Sequence, residues 1–208
     1  MNRCENQEQQ TKKQFSPAFW ILLATIAATL AKLVSAWKTI GTNDVVVFLL
    51  FGRELSLHGL AETYRRAILF NHQPLVAYYL RAIYELSTSA FFVQNSISFA
   101  FLLRLPGIIA DVVSTVIVCK LANALPGRRV PLWVLLLFAL NPISLMVTGF
   151  HGNTDSVMVM FVLLSCLMAA RPFPLLCGLS SVPFVLAPSA PITPVHCSLY
   201  LYQRASHF

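Results

Sequence analysis

The chain has 208 residues, of which 57% are hydrophobic and only 11% charged, with a mean hydropathy of +0.68. Soluble domains carry roughly a quarter charged residues, so an ordinary water-soluble domain is excluded. The net charge of +7 does not signal nucleic acid, because no basic run is interleaved with aromatics and the orientation signals of a membrane protein account for the excess.

Residues 1–17 are polar, with Arg3, Lys12 and Lys13 against Glu5 and Glu8, and read as a short cytosolic tail. The first apolar run, Ala18–Trp37, carries one charge, Lys32. Lying near the end of the run, that lysine is expected to snorkel to the interface. The run is longer than a signal-peptide core of about 7–15 residues and has no small-x-small cleavage site after it. It predicts an uncleaved transmembrane helix.

The stretch 38–98 mixes apolar and charged residues. Val45–Phe51 is followed by Arg53 and Glu54, and Pro74–Leu86 carries Arg81 and Glu85. Such a mixture predicts two helices lying in the interface rather than crossing it, joined by the segment from Tyr64 to Pro74. Arg81 and Glu85, four apart, should share a face. Three more spanning candidates follow at about 99–120, 131–150 and 155–170. The last is short for a hydrocarbon layer of about 30 Å. The expected fold is all-α: a multi-pass membrane protein of four to five spans, with the two interfacial helices in its first outer loop.

Lys12, Lys13, Lys120, Arg128, Arg129 and Arg171 fall on one side if the N-terminus is cytosolic. The long loop and the turn His151–Asp155 then face outward, to a periplasm or an ER lumen. The absence of an Asn-x-Ser/Thr sequon in these loops favours a bacterial inner membrane over the ER. The five cysteines are odd in number, widely spaced and form no CxxC pair, so no disulfide or metal site is expected.

Polar chemistry is scarce, which makes its placement informative. A histidine, an amide and a carboxylate within His151-Gly-Asn-Thr-Asp155 are costly at a membrane edge, where a neutral turn would serve. The chain has three aspartates, Asp44, Asp111 and Asp155. Asp44 and Asp155 fall at one membrane face, where they could build a polar site with His151. Each has a plainer role available. Asp155 could complement the positive end of the helix it opens, Asn153 and Gly152 could serve turn geometry, and Asp44 could be an ordinary loop residue. Asp111 could pair with Arg104 or hydrogen-bond between helices. Arg65, Arg66 and Arg104 could bind a phosphate or anchor helices to headgroups.

In order along the chain stand Thr42-Asn-Asp44, Phe70-Asn-His-Gln-Pro-Leu75, Leu103-Arg-Leu-Pro-Gly-Ile-Ile-Ala-Asp111, and Asn141-Pro142 leading into Gly149-Phe-His-Gly-Asn-Thr-Asp-Ser156. Over residues 18–171 this pattern resembles the N-terminal third of the GT-C superfamily of integral-membrane glycosyltransferases, in particular the polyprenyl-phosphate-mannose and GPI mannosyltransferase group. The resemblance implies transfer of a mannose-like hexose from a polyprenyl-phosphate-linked donor to a glycan or lipid acceptor, without a cofactor. It implies Asp44 as general base toward the acceptor hydroxyl. His151, Asn153, Asp155 and His72 would line the substrate site, and Arg104, placed just before the second span, would meet the donor phosphate. Many relatives have two acidic residues where this chain has Asn43-Asp44, so no metal is expected. Such enzymes are about twice as long. The stretch 172–208 holds six of the twelve prolines and one charge, Arg204, and prolines 183, 188, 191 and 194 would interrupt a helix. It is expected to be an out-of-frame tail on a truncated chain that is inactive alone. The alternatives are a small non-catalytic membrane subunit or transporter fragment, and a structural interaction protein.

Overall fold

A computed structural model describes residues 16–67, 69–124 and 130–170. Among the described residues the chain is helical throughout, with no strand. The tail 172–208 and the basic residues Lys12, Lys13, Arg128, Arg129 and Arg171 lie outside them.

Helix α1, Pro17–Lys38, begins where Pro17 supplies a preset φ and Ser16 accepts the amide of Phe19 at 3.4 Å. Its 22 residues rise about 33 Å, enough to cross a bilayer. Trp20, Leu22, Leu23, Ile26, Leu30 and Val34 are exposed, as a lipid-facing stripe requires. The opposite face is narrow, with Ala24, Lys32 and Ala36 buried. Small residues there let neighbouring backbones approach closely. A Cβ added at Gly149 would lie 3.2 Å from the Cα of Lys32.

Helices α2 (Asn43–Arg66) and α3 (Pro74–Ser87) form a hairpin. Its core is Val45, Phe51, Leu55, Phe70, Ala77, Leu80 and Ile83, continued by Phe99, Ala100 and Leu103. α2 breaks at Gly59, where φ is 76°. The polar faces carry ion pairs at helical spacing: Arg66–Glu62 at 2.6 Å, Arg81–Glu85 at 2.7 Å. Helices therefore form in both stretches where they were expected, and Arg81 and Glu85 do share a face. A short helix not foreseen, α4 (Ala90–Gln94), links them to the second span.

Among the described residues, three helices are long and apolar enough to cross a membrane: α1, α5 (Phe99–Ala124) and the composite Leu132–His151. The composite is not the continuous helix expected over 131–150. It comprises α6 (Leu132–Ala139), α7 (Pro142–Ser144) and a π-helical stretch, Leu145–His151. The break is chemical. Pro142 has no N–H to donate, and its ring pushes the preceding residue out of helical geometry. The Asn141 side chain then restarts the helix by accepting the Ile143 amide at 3.0 Å. Helix α8 (Asp155–Ala169) has only 15 residues, about 22 Å of rise, so it falls short of a full crossing. The expected four to five spans become three of full length and one short apolar helix among the described residues.

Candidate functional site

Arg104 organises the end of the bundle where α1 finishes. It stands inside α5, not before it as expected, and is 1% exposed. Its guanidinium donates to the carbonyls of Ala36 at 3.2 Å, Thr39 at 2.8 Å and Ile40 at 2.5 Å. These are the last carbonyls of α1 and the turn beyond, which lack helical partners of their own. Its two terminal nitrogens are thereby turned onto backbone oxygens, while the buried Nε has no partner among the described residues. Arg104 is also seven residues, or about 10.5 Å of helix rise, from Asp111. Of the two roles open to Asp111, the pairing with Arg104 does not form, while hydrogen bonds between helices do.

The chain crosses this guanidinium at Gly41, with φ of 93°. A Cβ there would run into Arg104 Nη2 and the Phe150 carbonyl. Only glycine fits both the backbone angle and the space. Thr42 follows as N-cap residue of α2, and its hydroxyl donates to the His151 carbonyl at 3.4 Å. Asp44 then falls in the first turn of α2, where the helix dipole favours a carboxylate.

From the other side the π-helical stretch delivers His151. It ends at Gly152, left-handed at φ 79°, whose amide donates to the Val147 carbonyl at 3.0 Å. His151 Nε2 lies 2.9 Å from Asp44 Oδ2, with the two side chains 40% and 56% exposed. A carboxylate and an imidazole far apart in the sequence thus share one hydrogen-bonding distance, open to solvent. Asn153 donates its side-chain N–H to Asp155 Oδ2 at 2.7 Å, a second polar pair at the start of α8. Among the described residues, no three His, Cys, Asp or Glu side chains converge as metal ligands would.

No known protein family, curated protein or solved structure matches this chain.

His72, also expected to line the site, belongs to the α2–α3 hairpin. Its ring packs on Phe48 at 5.3 Å, Phe70 at 5.5 Å and Phe51 at 5.9 Å between centroids. Its carbonyl accepts the Tyr64 hydroxyl. Burial among these rings lowers its pKa below the usual histidine value.

Inside the spans lies a cluster that the sequence reading did not assemble. Lys32, expected to snorkel, is instead 4% exposed. It turns inward because partners await it: Lys32 Nζ donates to Asp111 Oδ2 at 2.6 Å and to Ser144 Oγ at 2.7 Å. The same Asp111 oxygen accepts from Ser144 at 2.7 Å and Thr148 at 2.8 Å. α1, α5, α7 and the π-helical stretch therefore meet at one carboxylate. The available signal was that Lys32 and Asp111 are opposite charges embedded in two long apolar runs. Beside the pair is a cavity of about 250 Å³, which Asp155 also lines.

Proposed function

We propose that this protein is a membrane-embedded glycosyltransferase of the GT-C type, using a polyprenyl-phosphate-linked hexose as donor and a glycan or lipid as acceptor. The observation that carries this reading is the Asp44–His151 pair, 2.9 Å apart at the bundle end where α1 finishes. Such a transfer needs one carboxylate near the membrane surface. The acceptor hydroxyl oxygen bonds to the anomeric carbon, and the bond from that carbon to the lipid phosphate breaks. The hydroxyl proton passes to Asp44, and the polyprenyl phosphate departs with the bonding electrons. His151 would hold the Asp44 carboxylate by donating its N–H, leaving the second carboxylate oxygen for the hydroxyl. The hairpin α2–α3 would lie along the headgroups beside the site. A bacterial inner membrane is the location proposed.

A second reading, a non-catalytic membrane protein of transporter type, draws on a different observation: the broken third span and the Lys32–Asp111 pair inside the bundle are features transporters share. Because the chain is expected to be inactive alone, transfer assays on membranes carrying a full-length version, with the further helices of such enzymes, separate the two. With a polyprenyl-phosphate hexose donor, hexosyl transfer should appear and fall by roughly 10²–10⁴-fold in Asp44→Asn, the range for losing a general base. Transfer that is unchanged in Asp44→Asn would remove Asp44 as the base. No transfer by that full-length version would favour the second reading.

A further inference from the structure

The cavity beside Lys32 and Asp111 has properties that neither the Asp44 chemistry nor helix packing requires. Its volume is about 250 Å³, room for about eight waters at roughly 30 Å³ each. Its wall is mixed: Thr29, Lys32, Asp111, Ser114, Asn141 and Ser144 gather polar groups within a lining that is otherwise largely apolar, with Val112, Phe138 and Val147 among it. Hydrogen-bonding capacity remains there. Lys32 has three N–H donors and uses two, on Asp111 and Ser144. Among the described residues, Asp111 accepts from Lys32, Ser144 and Thr148 on Oδ2 alone, the Thr148 hydroxyl being shared with the Ser144 carbonyl, which leaves Oδ1 for an incoming donor. Ser114 is 2% exposed, and its hydroxyl has no partner among the described residues.

Charge decides what would fit. The inner pair is neutral in sum, and Asp155, the other ionisable lining residue, is exposed to solvent. A cation entering would meet the Lys32 ammonium, and an anion would meet the Asp111 carboxylate. In a medium of low dielectric either repulsion is severe. A neutral molecule with both donors and acceptors meets neither.

We propose that this cavity is a binding site for a small neutral ligand bearing several hydroxyl or amide groups, held by Lys32, Asp111 and Ser114 within the membrane-spanning layer. The site is separate from Asp44 and His151, and its occupancy does not depend on either reading of function.

Thiol protection on the full-length chain tests it. The five native cysteines, Cys4, Cys119, Cys166, Cys177 and Cys197, are replaced by alanine, and Thr29→Cys is introduced in the cavity wall. Val116→Cys, on an exposed face of α5, is the lipid-facing control. A small uncharged water-soluble methanethiosulfonate should modify Thr29→Cys at least tenfold faster than Val116→Cys. Glycerol, myo-inositol or urea should slow that reaction several-fold, and sodium chloride or phosphate at equal concentration should not. Asp111→Asn in the Thr29→Cys chain should weaken the protection. Reactivity equal to the control would show a cavity without solvent access and overturn the proposal. Protection by salt alone would overturn it in favour of an ion site, and a reactive thiol that no named solute protects would show a hydrated cavity without a ligand site.

Discussion

At the scale of single residues, Lys32 and Asp111 set the sharpest energetic question in the bundle. Removing one member of a buried pair leaves an uncompensated charge and costs about 3–5 kcal/mol, whereas replacing both with apolar residues of similar volume is often neutral. The Asp111 carboxylate also holds Ser144 and Thr148, and an orphaned buried hydroxyl costs about 1–3 kcal/mol. Thr148 keeps a bond to the Ser144 carbonyl at 2.7 Å, and Ser144 still accepts from Lys32 in Asp111→Leu, so Ser144 loses both partners only in the double variant. Lys32→Met and Asp111→Leu should each lower stability by about 3 kcal/mol, and the double variant by about 1 kcal/mol. Thermal unfolding in one detergent checks this; a double variant as unstable as the sum of the singles would show that the pair is not the coupled unit. His72 gives a second prediction at this scale. Its pKa is held below the ordinary 6.5 by burial, so the folded chain binds fewer protons than the unfolded one below that value. Stability is then complete above about pH 6.5 and declines as the pH falls through the lowered value in the folded chain. Exchanging the imidazole for an apolar ring, in His72→Phe, should flatten this acid arm in a melting series from about pH 8 to about pH 5.

Among the helices, Arg104 shows how one side chain fixes the relation of several elements. It closes the end of α1 through three carbonyls and sits beneath Gly41, just before Asp44 enters α2. A lysine has a single nitrogen where the guanidinium offers a planar fork, so it cannot reach carbonyls on both sides of the turn. Arg104→Lys should cost about 2–4 kcal/mol, from lost charge-assisted bonds and newly orphaned carbonyls. It should also loosen the Asp44–His151 distance. Melting temperature together with the NMR shift of the His151 ring checks both; a stable variant with an unmoved His151 signal would deny Arg104 its positioning role. The sequence made the helices legible because long apolar runs and the spacing of Arg81 and Glu85 are local signals. Asp44 and His151 could be assigned to one face by topology. What the sequence left dark were pairings set by tertiary approach. Lys32 read as an interfacial lysine because nothing local shows that Asp111 and Ser144 stand opposite it. Arg104 read as a phosphate ligand because carbonyl clamping has no signature in the chain. The bend at Asn141-Pro142 was visible as a motif, yet its consequence, a π-helical stretch that turns His151 toward Asp44, depends on how that stretch packs on α1.

For the whole molecule, the 2.9 Å approach of His151 to Asp44 carries a topological consequence. α1 ends beside Asp44 and the third span ends at His151, so both terminate at one membrane face. With α5 returning between them, Ala124 must lie at the opposite face, with the start of α1. On a simple tally the basic residues of the first outer loop count against this orientation. That loop holds Lys38, Arg53, Arg65, Arg66 and Arg81; Arg65 and Arg66 pair with Glu62 and Arg81 pairs with Glu85. The loop 38–98 is also close to the length of about 60 residues beyond which the rule stops applying, while Lys12 and Lys13 just ahead of the first span weigh heavily. Ser89, Thr154 and Ala124 report the two faces. In a cysteine-free chain in intact bacterial cells, a membrane-impermeant maleimide should label Ser89→Cys and Thr154→Cys from outside. Ala124→Cys should react only after lysis. Labelling of Ala124→Cys alone would keep this helix arrangement but invert it, placing Asp44 in the cytosol. Labelling of Ser89→Cys and Ala124→Cys from the same side would mean that α5 does not cross. The shared face of Asp44 and His151 would then lose its membrane frame, and the transferase reading would fail with it.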